Sequence, residues 1–170
     1  MLINCDWLPP LEAQAPDEPE EDYENRIYKL FLADFQDTDL LFDSLPIKIR
    51  WSPKVNDKIQ AFYHVTTWGD DQNNRHVDKA RQERIRWIRA FIENADCKPH
   101  NCDECEGMKA WSFKFHNKLR IKLLLSEERY IVILEKRADY VLLITAFYLD
   151  YSHMLNKQLK EYEKAKGTST

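Results

Sequence analysis

In the segment DCKPHNCDECEG, residues 96–107, Cys97, His100, Cys102 and Cys105 place three thiols and an imidazole within nine residues. Cys102-x2-Cys105 has the spacing of a metal knuckle, and a structural zinc takes four such ligands in a tetrahedron. Because His100 stands so close to Cys102, the fourth ligand could instead be His116 or Cys5. Reduced, unligated thiols are the competing reading. Neither reading implies an open coordination position, so no cofactor is expected for catalysis. The other reactive groups are scattered. His64 in AFYHVTTW stands at the end of a predicted strand beside a polar loop, a common position for an acid–base group, and His153 in LDYSHMLNK is a second candidate. A structural role competes for each. In YVLLITAFYLD, Thr145 interrupts an apolar run and Tyr148 follows it. The threonine is either a catalytic hydroxyl or a branched side chain that suits the pleat.

A set of cations completes the candidates. In KLRIKLLL, Lys118, Arg120 and Lys122 alternate with Leu119, Ile121 and Leu123, and the preceding strand alternates Lys114 and His116 with Phe113 and Phe115. Pairing the two predicts a face bearing Lys114, His116, Arg120 and Lys122 over an apolar core face. Such a face is either ordinary wetted sheet or a binding surface for phosphates. Familiar alternatives are missing: there is no glycine-rich phosphate loop, no GxSxG and no HExxH, and the chain has only three glycines.

These residues need elements to position them. Residues 1–20 are rich in proline and acids and are expected to be poorly ordered or to lie across the body. The spacing of Tyr23, Ile27, Leu30 and Phe31 predicts an amphipathic helix from Asp22 to about Phe35. PIKIRW (46–51) and IQAFYHVTT (59–67) alternate as strands do. DKARQERIRWIRAFIENAD predicts a longer helix with Asp78 as N-cap and Ile85, Ile88 and Ile92 on one face, while Arg81, Arg84, Arg86 and Arg89 take the flanks. Four strands are predicted over 109–116, 118–125, 130–136 and 140–149, joined closely enough for a meander, and a last helix starts near Tyr151. The expected class is α+β, with helices followed by a four-stranded antiparallel sheet. The expected organisation is an acidic extension with one helix over residues 1–45 and one α+β domain over 46–170.

The net charge of −4 conceals an asymmetry. Residues 1–45 hold twelve acids against Arg26 and Lys29, net −10, and the remainder holds 17 acids against 23 bases, net +6. An acidic leader on a basic body suits a domain that grips a polyanion, although charge blocks are also ordinary solvated surface. MLINCDWLPP lacks the basic start and long apolar core of a signal peptide, and no apolar run is long enough to span a bilayer. A cytoplasmic chain without a membrane partner is expected, in which thiols stay reduced or bind metal.

The order AFYHVTTWG, then RQERIRWIRAFIENAD, then ERYIVILEKRADYVLLITAFYLD followed by His153 and a lysine-rich helix resembles phage-associated nucleases grouped with barnase, EndoU, colicin-type tRNases and RelE. The similarity spans roughly His64 to Lys164. It implies a helix-plus-four-stranded-sheet fold and a toxin-like RNA endonuclease that needs no metal and acts on RNA such as tRNA. In such enzymes the 2′-OH of the RNA attacks the adjacent phosphate, which requires a base, an acid and cations for the developing charge. The resemblance assigns His64 as acid–base group, Arg84 with Arg81 as phosphate clamp and Thr145 as the orienting hydroxyl, with Tyr148 or His153 completing the set. An immunity or antitoxin protein is an expected partner. The acidic leader and the cysteine loop depart from the family's pattern, and the leader is expected to mimic RNA and lie over the basic face until displaced. The alternative is a phage-derived module, stapled by zinc, that binds RNA or protein without cutting.

Overall fold

The computed structural model describes residues 5–71, 74–99 and 105–168. Four strands, β5 (Lys109–Phe115), β6 (Lys118–Leu125), β7 (Tyr130–Lys136) and β8 (Val141–Tyr148), form a meander in which each pairs antiparallel with the next. The sheet is not the expected four-stranded antiparallel one. It continues past β8 through β2 (Leu45–Lys48) and β1 (Leu41–Phe42) into a six-stranded, mixed, curled sheet of order β1-β2-β8-β7-β6-β5. β2 runs parallel to β8, with Ile47 opposite Val141 and Lys48 opposite Leu142. Parallel neighbours require a crossover, and here everything between β2 and β8 supplies it, so no local alternation could reveal the pairing. A helix, α5 (Ser152–Thr168), follows the sheet.

Both faces of the sheet are covered. On one, α1 (Glu20–Phe35) buries Tyr23, Ile27, Phe31 and Phe35 in a core shared with Ile88 and Phe91 and with Leu123, Val132, Leu134, Val141 and Ala146 of the strands. On the other, α5 sets Met154, Leu155, Leu159 and Tyr162 against Trp111, Leu124 and Ile131. This double cover explains why β7 reads as a continuous apolar run. Lys122 and Trp111 Nε1 both donate to Glu161, at 2.6 and 3.0 Å, and so fasten α5 to the sheet.

Two local readings are corrected. IQAFYHVTT is not a strand: residues Gln60–Thr66 form α2, with Ile59, Phe62 and Val65 buried at helical spacing. β-branched residues biased the expectation, but here Thr66 Oγ1 donates to the carbonyl of Phe62 four residues back, at 2.8 Å, which satisfies the hydroxyl within a helix. The predicted long arginine helix is broken into α3 (Lys79–Glu83) and α4 (Trp87–Glu93). Asp78 does cap α3, accepting from the Arg81 amide at 3.1 Å. At the break, amides bond three residues back, Arg84 to Arg81 and Ile85 to Gln82, a tightening that sends Arg81 and Ile85 to different surroundings.

The acidic leader lies across the body. Trp7 packs edge-on against Phe91 at 5.9 Å, and Trp87 Nε1 donates to the carbonyl of Pro9 at 2.8 Å. Of its acids, Glu12 and Glu18 pair with Arg26 within the leader, whereas Glu20 and Glu24 pair with Lys79 and Lys58 of the body.

Candidate functional site

The sheet leaves one edge partly open. β2 pairs with β8 only at Val141 and Leu142, so from Leu143 onward that edge of β8 has no strand partner among the described residues. A cleft of about 800 Å³ runs along it. Its other walls are Ala61 and His64 of α2, Trp68 to Asp70, Arg75, Asp78, Arg81, and the start of α5 at Tyr151 and Met154. The hairpin of β3 (Thr67–Trp68) and β4 (His76–Val77) forms one lip.

A bulge aims Thr145 into this cleft. Thr145 lies opposite Ile133 and Leu143 opposite Leu134, so Ile144 is an extra residue on β8. Strict alternation would put Thr145 on the face of Val141 and Leu143. With the bulge, Val141, Leu143 and Ala146 all enter the main core, whereas Ile133 and Phe147 pack on the α5 side. Thr145 therefore leaves the face expected for it and lines the cleft half-buried. Bulges re-aim side chains in this way at the margins of sheets. Its hydroxyl makes no hydrogen bond to protein among the described residues, and neither does that of Tyr148, which also lines the cleft.

His64 faces the same space from α2, half-buried and without a hydrogen bond to its imidazole among the described residues. Burial, with the guanidinium groups of Arg75, Arg50 and Arg81, pushes its pKa down to about 4. His64 is therefore an uncharged imidazole at neutral pH, able to accept a proton. The arginines differ in what they have left to offer. Arg75 is consumed: it donates to Thr67 Oγ1 at 2.8 Å and to the carbonyls of Thr67 and Gly69 at 2.6 Å each. Arg81 gives Nη1 to the carbonyls of His64 and Thr67 and stands 3.4 Å from Asp78 through Nε, which leaves Nη2 uncommitted among the described residues. Arg50 is exposed and makes no ion pair among the described residues. Arg120 lines the wall but donates to the buried carboxylate of Glu135 at 2.8 Å.

Of the residues expected to act, the cleft brings together His64, Arg81, Thr145, Tyr148 and Arg120. Arg84 stays behind the wall, its guanidinium 4.3 Å from the Tyr148 ring and 5.0 Å from Trp87, and it donates to the carbonyl of Ala80. His153 is exposed outside the lining and stacks on Tyr151 at 5.6 Å. The expected basic face does not form. The register sets Arg120 opposite Phe113 and Lys122 opposite Trp111, whereas Lys114 lies opposite Leu119, so the cations fall on opposite faces. Lys122 is buried against Gln158 and Glu161, and His116 occupies the β5–β6 turn at φ 47°. The leader does not overlie the cleft, since none of its described residues lines it.

Of the cysteine cluster, His100 and Cys102 lie outside the described residues. Cys97 and Cys105 are buried, with the Gly107 amide donating to Cys105 Sγ at 3.2 Å, while Cys5 belongs to the main core. Among the described residues no three His, Cys, Asp or Glu side chains are grouped to hold a metal, and no helix is long and apolar enough to cross a membrane.

Sequence reasoning missed Arg50, Arg75, Trp68, Asp150 and Tyr151, all of which line the cleft. Trp68 and Tyr151 did carry a signal: each is a large aromatic beside a polar or acidic stretch, WGDD and LDYS. No protein-family model, curated protein or solved structure matches the chain.

Proposed function

We propose that the cleft is the active site of an RNA endonuclease that cleaves by transesterification without a metal. The observation that carries this is the gathering, along one open strand edge, of an uncharged imidazole with two hydroxyls that have no partner, and two guanidinium groups that have donors to spare, among the described residues. Arg50 and Arg81 Nη2 hold the scissile phosphate, and Thr145 donates to one of its oxygens. The His64 imidazole takes the proton of the 2′-OH as the 2′-oxygen bonds to phosphorus. The bond from phosphorus to the 5′-oxygen then breaks, and the Tyr148 phenol supplies the proton that the leaving oxygen needs. The products are a 2′,3′-cyclic phosphate and a free 5′-hydroxyl, after which solvent restores both side chains. A phosphate beside Arg50 and Arg81 offsets their field on His64, so substrate itself makes the imidazole a stronger base.

The test is cleavage of RNA in EDTA by the purified full chain and by His64→Ala and Thr145→Val. Wild type should yield cyclic-phosphate ends, with loss of His64 costing about 10²- to 10⁴-fold in rate. Wild-type protein that binds RNA but leaves it intact overturns the reaction and leaves a binding module.

A further inference from the structure

Two aromatic rings stand in water at the rim of the cleft. Trp68 is 51% exposed and Tyr151 is 64% exposed, and both line it. Each is backed by an imidazole: His76 lies 4.9 Å from Trp68, and His153 lies 5.6 Å from Tyr151 with the rings nearly parallel. Trp68 is also held from both sides. Arg75 grips the carbonyls of Thr67 and Gly69, the residues immediately before and after it. The indole is thus presented on a clamped hairpin, whereas Trp87 and Trp111 of the same chain are almost wholly buried.

We infer that Trp68 and Tyr151 form a nucleobase subsite for single-stranded nucleic acid, with unpaired bases stacked on the two rings while the backbone phosphates lie against Arg50 and Arg81. The inference rests on the cleft being the nucleic-acid site proposed above, and it adds the strand state of the substrate. Exposed rings flanking guanidinium groups match a ligand that alternates flat π-faces with negative charge. A duplex cannot serve, because its base faces are already covered by their neighbours. An acidic peptide supplies the charge without the faces.

Fluorescence anisotropy with a labelled short DNA strand separates this idea from the catalytic one, because DNA lacks the 2′-OH and cannot be cut by the proposed reaction. The full chain should bind the single strand in preference to the same sequence as a duplex. Trp68→Ala and Tyr151→Ala should each weaken binding by about five- to a hundredfold, and Trp68→Phe should retain most of it. Both side chains are exposed, so circular dichroism should show these variants folded. Three results overturn the subsite: no preference for the single strand, unchanged binding in both alanine variants, or equal competition by polyglutamate. Binding that depends on Trp68 and Tyr151, in a wild-type protein that leaves RNA uncut, supports the subsite and overturns only the transesterification.

Discussion

Lowering the pH should destabilise this fold through His64, and by a predictable amount. Burial first, then Arg75, Arg50 and Arg81, take its pKa from the ordinary 6.5 to about 4. Between those values the unfolded chain binds a proton that the folded chain refuses, so stability rises with pH across that window. The contribution is fully present above about 6.5 and is lost as pH falls through about 4. A fully buried group displaced that far would be worth about 3 kcal/mol. His64 is only half-buried and solvent screens its neighbours, so about 1–2 kcal/mol is the expected size. Urea unfolding of wild type and His64→Asn, at neutral pH and near the folded pKa, isolates the effect, because the asparagine does not titrate and the other groups are common to both chains. Wild type should lose about 1–2 kcal/mol more than the variant on acidification. Saturating inorganic phosphate should shrink that difference, because an anion beside Arg50 and Arg81 moves the imidazole back up. Equal pH dependence in the two chains refutes the account, as does an NMR titration that places His64 at its ordinary value.

Three further perturbations test the scaffold around the site. Arg75→Leu removes the donors that clamp Thr67 and Gly69, so it should cost about 2 kcal/mol in urea unfolding and raise the His64 pKa by NMR. Gly107→Ala would set a Cβ 2.8 Å from the carbonyl oxygen of Cys97 and from the Pro99 nitrogen, at φ +79°, and should destabilise by about 2 kcal/mol or more in the same assay. Glu135 is buried, which pushes its pKa up, but hydrogen bonds from Arg120 and Arg137 outweigh that and hold it below the usual carboxylate range. Glu135→Gln strands those two cations and should cost about 3 kcal/mol by chemical denaturation.

Short-range signals carried much of the fold. The strands of the meander, α1, the Asp78 cap and α5 are all written in apolar spacing and turn chemistry within a few residues of themselves. What escaped was whatever depends on distant partners. The four residues of β2 become part of the sheet only because Ile47 and Lys48 meet Val141 and Leu142, far along the chain. α2 was misread because Tyr63, Val65, Thr66 and Thr67 favour strands by type, while a carbonyl four residues back and the spacing of Ile59, Phe62 and Val65 decide for a helix. The basic face failed for a related reason. Alternation within a strand shows which residues share a face, but only the register shows which residues of the next strand join them. Here Lys114 met Leu119 instead of Arg120.

The cleft itself follows from one shortfall and one surplus. β2 ends at Lys48, too early to cover β8 beyond Leu142, and that exposes a strand edge whose backbone would otherwise be sealed. β8 carries one residue more than its partner, and Ile144 displaces Thr145 from the position that strict alternation assigns it. Neither feature changes composition or hydrophobic pattern, so neither could be read from the chain alone. Together they turn the apolar run YVLLITAF into a wall with a hydroxyl in it, and the helix that replaces the expected strand then supplies His64 from across the gap. On this view, Thr145 faces the cleft because Ile144 goes unpaired and the ladder resumes with Thr145 opposite Ile133. Deleting Ile144 should leave Leu143 opposite Leu134 and Thr145 opposite Ile133 in an unbroken ladder, so the hydroxyl should keep its face and its place in the cleft. A folded deletion variant whose hydroxyl turns to the face of Leu143 by NMR contradicts this origin for the site.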